Sequence, residues 1–427
     1  MTGVVRQAVM TFVALTLCVL VGIGGLIFAE LVPDIWVVEA LERAEGRGEI
    51  TAEERPLDNA GIQIDEASEC TTLSVGLGEI EGQSIFTTTA LAPNLGPCWR
   101  LLGNLNPYDG ATAAENRDTY LRYWHGSAPI VRPVLATVGL SGLRVVGMLA
   151  IAIAGAAVFG VVRRSSGTAA AGGLVAPVVL TTSILSLPGS IHQALAFAAG
   201  LAGAALAGTI AAGGLTRSRV WYPSLLAGAA FVYIDLLTAV PGQWLLVAAL
   251  VGLAALQRGH SWIETAGWMV LSGVGWLVGY AGMWLGKWVY AGLILSPRLV
   301  YDDVTDTIGR RLDGDTVYSD PGFGNAISDN VDIFRGRPFA TTTVLVAVLI
   351  VVAGLVRRPA RETAPRAVVA AAALVPFIWF EIASNHSQIH AWFTYRSIPM
   401  AIGVVLMASL ATRPAALSSS DSAPAST

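Results

Sequence analysis

Long runs of apolar residues alternate with polar connections along the whole chain. The first run, from Val9 to Ala29, holds about 20 residues without a charge, enough to cross roughly 30 Å of hydrocarbon. Further runs of this kind cover residues 138–162, 171–187, 191–214, 220–238, 242–257, 263–286, 338–356, 367–384 and 397–412. The pattern predicts an all-α integral membrane protein with about ten transmembrane helices.

The composition agrees with this prediction. Hydrophobic residues make up 54% of the 427 positions and charged residues 13%, with a mean hydropathy of +0.61. A soluble domain carries about a quarter charged residues. The net charge of −4 and the lack of a basic patch argue against a nucleic-acid partner. A cleaved signal peptide is the alternative interpretation of the first run, but no clear cleavage site follows it.

Arginines on alternate connections set the predicted direction of the helices. They are Arg6, Arg163, Arg164, Arg217, Arg219, Arg258, Arg357, Arg358, Arg361, Arg366 and Arg413. Because basic residues stay in the cytoplasm, both termini are predicted to be cytoplasmic. The predicted regions are a first transmembrane helix (1–30), an extracytoplasmic loop with an interfacial helix (31–135), a six-helix transmembrane region (136–286), a second extracytoplasmic loop (287–337), a three-helix transmembrane region (338–412) and a disordered cytoplasmic tail (413–427).

Two acidic residues follow the first predicted helix. Glu30 lies at the membrane boundary and Asp34 just beyond it. The spacing of Ile35, Val38 and Leu41 predicts a short amphipathic helix that rests on the bilayer. Glu30 and Asp34 are candidate catalytic acids or bases, and the alternative is that they only cap this helix.

Other unusual polar residues fall at the predicted outer ends of the helices. Trp124 and His125 stand in TYLRYWHGSAPIVRP, and His192 lies at the mouth of a helix. Asp235 lies a turn or two below the outer boundary, where a carboxylate requires a partner or a wet cavity. Lys287, between two tryptophans, either extends to water or binds an anionic ligand. All five are candidate substrate-binding residues.

The stretch NHSQIHAWFTYR is the densest polar cluster between two apolar runs. His386 and His390 are four residues apart and would share one face of a helix. A zinc site requires further ligands, so no cofactor is indicated and a divalent metal ion is the minor alternative. Arg396 supplies a donor fork for a phosphate, with Asn385 and Tyr395 as neighbouring hydrogen-bonding groups. The two histidines are candidate proton carriers.

Three cysteines do not have the spacing of a metal site. Cys18 lies in an apolar run and is predicted to pack there. Cys70 and Cys98 share the first long outer loop, and we expect them to form a disulfide if that loop is exported.

Three motifs carry a resemblance. RYWHG, GYAGMWLGKW and NHSQIHAWFTYR resemble signatures of a family of uncharacterised polytopic bacterial membrane proteins, over helices two to ten. The layout of the chain loosely resembles that of GT-C class glycosyltransferases, which have two long outer loops and an acidic base after the first helix. This likeness implies transfer of a sugar from a polyprenyl-phosphate donor to an envelope polysaccharide or glycolipid on the outer side of a bacterial cytoplasmic membrane.

The resemblance also implies residue roles. Asp34 or Glu30 would deprotonate the acceptor hydroxyl, while Arg396, Lys287 and His386 or His390 would stabilise the departing lipid phosphate. The chain lacks the adjacent acidic pair of those enzymes, which leaves the base open.

The alternative function is a transporter or flippase of an envelope precursor. Such a protein is expected to have charges at the membrane midplane and an internal repeat. Here the unusual charges lie on one face and no repeat is evident. A transferase of acyl or phosphoryl groups and a non-catalytic scaffold are further alternatives.

Overall fold

The computed structural model describes residues 3–53, 66–77, 82–105, 118–184, 186–235, 237–313, 319–320, 322–358 and 360–412. The predicted disordered tail at 413–427 lies outside these residues. One two-stranded antiparallel ladder joins β1 (Pro93–Asn94) to β2 (Asp118–Thr119) among the described residues, with Pro93 opposite Thr119.

Helices form almost all of the described structure. They are α1 (Gly3–Glu30), α2 (Asp34–Gly46), α3 (Glu66–Leu73), α4 (Ile85–Leu91), α5 (Cys98–Gly103), α6 (Ala128–Ser166), α7 (Thr168–Thr181), α8 (Ile191–Gly213), α9 (Arg217–Ile234), α10 (Val240–Gln257), α11 (Trp262–Ile294), α12 (Pro297–Asp313), α13 (Asn325–Arg335), α14 (Ala340–Arg357), α15 (Ala360–Ala371), α16 (Val375–Ile382), α17 (Ser384–Ile389), α18 (Ala391–Thr394) and α19 (Ser397–Leu410), with 3-10 turns at Leu187–Gly189 and Ala372–Leu374.

Within the described residues, 8 helical segments are long and apolar enough to cross a membrane. They comprise α1, α6, α8, α10, α11, α14, the α15–α16 run and the α18–α19 run. The other two predicted runs form α9, of 18 residues, and α7, of 14 residues. The all-α class is therefore confirmed, and the apolar helices indicate a multi-pass membrane protein.

The second predicted run begins at a break in α6. Gly139 has φ 74° and ψ −178°, a conformation that separates an outer segment from the long apolar helix. The helix thus extends outward to Ala128, further than the hydropathy pattern predicts. Pro241 lies in the first turn of α10, where its missing N–H needs no partner.

The helix predicted to rest on the bilayer is α2. Its apolar side chains Val38 and Leu41 are buried against Val131 and Leu135 of the outer segment of α6, whereas Ile35 is exposed. The expected contact of Val38 and Leu41 with lipid is therefore wrong. An amphipathic pattern requires a partner for the apolar face, and here that partner is protein.

In the outer layer formed by α3 and α5, a disulfide joins these two helices and an arginine–glutamate contact joins α3 to α6. Cys70 of α3 is bonded to Cys98 of α5, with Cα atoms 5.1 Å apart. Glu69 is buried and accepts two hydrogen bonds from the Arg144 guanidinium, at 2.6 and 3.2 Å. The disulfide therefore holds α3 and α5 together, and the contact between Glu69 and Arg144 anchors α3 to the bundle.

Helices α9 and α11 pack against each other through glycines. A Cβ atom on Gly279 would lie 1.9 Å from the carbonyl oxygen of Leu225, and one on Gly228 would lie 2.1 Å from that of Trp276. Backbone meets backbone at these positions, as in the small-residue contacts of membrane helices.

The substitution Gly279→Ala should therefore lower the stability of the protein by about 1–3 kcal/mol or more, because the backbone has no room to shift. Gly267→Ala, on the same helix, is the control, since its Cβ would meet no atom within 4 Å. Thermal unfolding in detergent checks the pair, and equal melting temperatures would contradict this packing.

Glu69 should make the outer layer less stable as the pH rises. Burial raises the pKa of this carboxyl from 4.5 to about 7, because desolvation outweighs the opposing effect of Arg144. The folded state therefore binds the proton more tightly than the unfolded state, and this contribution is complete below 4.5 and lost as the pH rises through about 7. The dependence of thermal unfolding on pH should be flatter in Glu69→Gln. Parallel curves for both proteins would refute this assignment.

Candidate functional site

The predicted site residues all lie at one end of the helix bundle. Helices α1, α9 and α11 finish at this end, and α6, α8 and α10 begin there. The main-chain N–H of Gly126 donates to the carbonyl of Tyr233 at 2.7 Å, which joins the RYWHG loop to the outer end of α9. Most of the candidate residues fall into an acidic group, a lysine group and an arginine group, while Asp235 and the residues from Asn385 to His390 have contacts of their own.

The acidic group is organised by Arg132, which is 1% exposed. Its guanidinium donates to the Asp34 carboxylate and lies 4.0 Å from that of Glu30. It also donates to three main-chain carbonyls, those of Ala29 in α1 and of Val32 and Val75 in the loops, at 2.9 to 3.0 Å. Of the two carboxylates, Asp34 reaches solvent at 37% exposure and Glu30 only at 7%. Asp34 is therefore the accessible acid.

The lysine group surrounds the last turns of α11. Lys287 is fully buried, and its Nζ donates to the carbonyls of Thr89 and Ala90 at 2.8 and 3.0 Å. These carbonyls end α4, where the helix dipole favours a cation. The ring of Trp124 lies 5.9 Å from this ammonium and donates through Nε1 to Met283 at 2.8 Å. Of the two alternatives for Lys287, extension to water is therefore wrong, whereas the binding of an anionic ligand stays a prediction.

His125 lies in the same group in a strained backbone conformation. Its φ of 51° is in the left-handed region, and its ring meets Tyr120 and Tyr123 edge-on at 5.5 and 6.5 Å. Its Nε2 has no hydrogen-bond partner within the described part of the chain. Burial, followed by the charge of Lys287, lowers the pKa of His125 well below 6.5, so the ring is neutral at pH 7.

Asp235 has a local structural role. Its carboxylate accepts from the main-chain N–H of Thr238 at 3.0 Å and from the Thr238 hydroxyl. The turn from Asp235 to Thr238 directly precedes α10, and the Asp235 carboxylate satisfies the donors of that turn. The partner that a carboxylate needs at this depth comes from its own connection.

The NHSQIHAWFTYR stretch is not one continuous helix. His390, with φ −111°, separates α17 from α18. The His386 and His390 rings nevertheless stay 4.7 Å apart, and His390 stacks on Phe393 at 4.9 Å. His386 Nε2 donates to the carbonyl of Leu237 at 2.9 Å, since a carbonyl only accepts. This contact connects α17 to the Asp235 turn.

The second outer loop binds the same stretch. Asn330 of α13 donates to the carbonyl of Ser387 at 2.9 Å and accepts from the Thr394 hydroxyl at 2.7 Å. The Gln388 side chain pairs with both main-chain groups of Asp320, at 2.8 and 2.9 Å. Asn385 donates to the carbonyl of Arg310. The stretch is thus held by Arg310, Asp320 and Asn330 of the 287–337 segment.

The arginine group lies where α19 meets α7 and α8. Arg396 is 4% exposed, and it donates from Nη1 to Gln193 at 2.5 Å and from Nε to the carbonyl of Thr182 at 3.3 Å. Gln193 follows the buried His192 at the start of α8. The ring of Tyr395 lies 5.9 Å from the Arg396 guanidinium carbon.

Arg337 is a member of this group that the sequence analysis missed. Its guanidinium carbon lies 4.7 Å above the Tyr395 ring. A lone arginine in a long outer loop gives no periodic signal. From its sequence this loop resembles a solvent-exposed segment, whereas in the fold Arg337 is buried.

An apolar crevice of about 450 Å³ begins one helical turn below Arg396 and Gln193. It lies between α6, α7, α8, α10 and α19, and its walls include Met148, Leu174, Val178, Phe197, Leu246 and Met400. Phe197 and Met400 are one turn beyond Gln193 and Arg396 on their helices. The crevice therefore has a polar group above it and apolar walls along its length.

The described residues contain no group of three or more His, Cys, Asp or Glu side chains that could hold a metal ion. The fold and this site define a helical multi-pass membrane protein with buried polar groups collected at one end. Comparison with protein-family models, curated proteins and solved structures gives no match for this chain. The resemblances noted from the motifs therefore stay predictions.

Arg132→Gln should destabilise the protein by about 3–5 kcal/mol, because it removes the cation beside the nearly buried Glu30 carboxylate and the donor to three carbonyls. Arg43→Gln is the control, since the Arg43 side chain is 54% exposed and pairs with Glu39 on the same helix. That pair should contribute less than about 1 kcal/mol. Thermal unfolding of the three proteins in detergent measures both effects, and a small loss in Arg132→Gln would contradict the network.

Proposed function

We propose that this chain is an integral membrane transferase of the cell envelope with a GT-C-like layout. It transfers a sugar from a polyprenyl-phosphate donor to an envelope polysaccharide or glycolipid on the extracytoplasmic side of a bacterial cytoplasmic membrane. The observation that supports this proposal best is the apolar crevice whose wall residues Met400 and Phe197 lie one helical turn from Arg396 and Gln193.

The crevice and the arginine match the two halves of a lipid-linked donor. A polyprenyl carrier combines a long apolar chain with a phosphate at one end. Leu174, Val178, Phe197 and Leu246 offer the chain an apolar wall. Arg396 offers the phosphate a planar set of donors at the level where the chain would end.

The acceptor hydroxyl requires a base on the outer side. Asp34 is the best candidate, because it is accessible while Arg132 fixes its position. Glu30, nearly buried beside the same guanidinium, serves the structure of this network. His390, which is half-buried, is the second candidate, whereas the Nε2 proton of His386 is engaged with Leu237.

The transporter alternative expects a central site halfway across the membrane. The candidate charges instead lie at helix ends on one side of the bundle. Because no described contact favours a midplane site, we retain transport only as an outcome of the test below.

Arg396→Gln should lower the initial rate of sugar transfer by about 100-fold, because the developing phosphate charge loses its donor. The assay uses purified protein in liposomes with a radiolabelled polyprenyl-phosphate sugar and an envelope-glycan acceptor. Arg298→Gln, at a side chain that is 91% exposed, is the control and should retain the wild-type rate. Asp34→Asn should also lose activity while keeping its fold.

Deletion of the protein provides the test in cells. The proposal expects loss of one envelope glycan and accumulation of its lipid-linked sugar. An unchanged profile of glycans and lipid-linked sugars would overturn the transferase.

Movement of the lipid-linked sugar across the liposome membrane without transfer of the sugar would instead establish transport.

A further inference from the structure

Arg337 places a positive charge inside the protein at the outer end of α14. It lies in the connection between α13 and α14 and is 7% exposed. Its Nε and Nη1 atoms are buried and have no hydrogen-bond partner within the described residues. In the same part of the chain no carboxylate lies within ion-pair distance of this guanidinium. Native proteins rarely bury a cation in this way without an anion to accompany it.

The contact with Tyr395 compensates only part of this charge. The Arg337 guanidinium, 4.7 Å from the centre of the Tyr395 ring, is attracted by the ring. The ring does not, however, accept a hydrogen bond from the buried N–H groups of Arg337. Tyr395 is itself completely buried, and its hydroxyl has no partner within the described residues. Two adjacent side chains therefore present unused hydrogen-bond donors.

A second guanidinium approaches the same ring. The guanidinium carbon of Arg396 lies 5.9 Å from the centre of the Tyr395 ring. Arg396 is already positioned by Gln193 and by the carbonyl of Thr182. Two arginines and one hydroxyl thus meet around one aromatic side chain. A set of donors with two positive charges is complementary to an anion that carries several oxygen atoms, such as a phosphate.

We propose that Arg337, Tyr395 and Arg396 together form a binding site for the phosphoryl group of a lipid. This inference rests on the proposed function for the identity of the lipid, a polyprenyl phosphate whose chain occupies the crevice below Arg396. Arg337 is the residue that the site requires in addition to those predicted from the sequence.

A second guanidinium has a specific use in sugar transfer. The acceptor oxygen forms a bond to the anomeric carbon while the bond from that carbon to the phosphate oxygen breaks. The electron pair of the broken bond stays on the phosphate, and the acceptor proton passes to the base. The donor phosphodiester carries one negative charge and the released phosphomonoester carries close to two. Arg337 therefore binds the leaving group more strongly than the donor, which favours the transition state.

The test measures binding to the full-length protein in nanodiscs of neutral lipid, with three probes. Polyprenyl phosphate carries the chain and the anion, polyprenol carries the chain alone, and inorganic phosphate carries the anion alone. Wild-type protein should bind polyprenyl phosphate well above polyprenol. Arg337→Gln should weaken binding of polyprenyl phosphate by about 10- to 100-fold, the usual effect of losing a charge-assisted hydrogen bond. Its binding of polyprenol should not change.

Matched variants separate this effect from a general loss of structure. Arg335→Gln, two residues away at a side chain that is 75% exposed, should bind as the wild type does. Arg337→Lys should bind with intermediate affinity, because an ammonium keeps the charge but loses the planar fork. Tyr395→Phe keeps the ring and removes the hydroxyl, so it tests the site even if Arg337→Gln fails to fold.

The outcomes separate the inference from the proposed function. If wild-type protein binds polyprenyl phosphate and both Arg337→Gln and Tyr395→Phe bind it equally well, the phosphoryl site is overturned while the proposed function stands. If wild-type protein does not distinguish polyprenyl phosphate from polyprenol, the proposed function fails. Binding of inorganic phosphate that requires Arg337, without any gain from the lipid chain, would support the anion site and overturn its lipid assignment.

Discussion

The hydrocarbon of a membrane offers no hydrogen bonds, and the arrangement of this protein follows from that constraint. Buried charges lie at helix ends, where main-chain carbonyls or opposite charges can meet them. Arg132 binds two loops and Asp34, Lys287 binds the end of α4, and Glu69 binds Arg144.

Apolar runs are local in sequence, and for this reason most of the bundle was predictable. The starts of α8 at Ile191 and of α10 at Val240 lie within two residues of the predicted runs. The fate of an amphipathic face is not local. Val38 and Leu41 have the same spacing whether they face lipid or the outer segment of α6, so their burial required knowledge of the fold. The break at Gly139 likewise depends on the backbone conformation of one residue, which the pattern of apolar residues does not show.

Candidate residues were easier to predict than their partners. The pattern of apolar runs and arginines predicts that His386, Lys287 and Arg396 lie on the outer side, but it does not show that each binds a carbonyl from a distant segment. A hydrogen bond to a main-chain carbonyl cannot be predicted from the residue type of the acceptor, because every residue has a carbonyl. Arg337 was missed for the opposite reason, since an arginine in an outer loop is normally solvated.

The two arginines near Tyr395 are suited to different tasks. Arg396 is fixed by Gln193 and Thr182, so its orientation is set before a ligand arrives and little order is lost on binding. Arg337 has buried donors that no described group accepts, so an arriving anion gains a hydrogen bond without displacing one. With Arg396 oriented in advance and Arg337 carrying an unsatisfied charge, a phosphate site would be selective for charge as well as for shape. The nearby apolar crevice would add selection for a lipid.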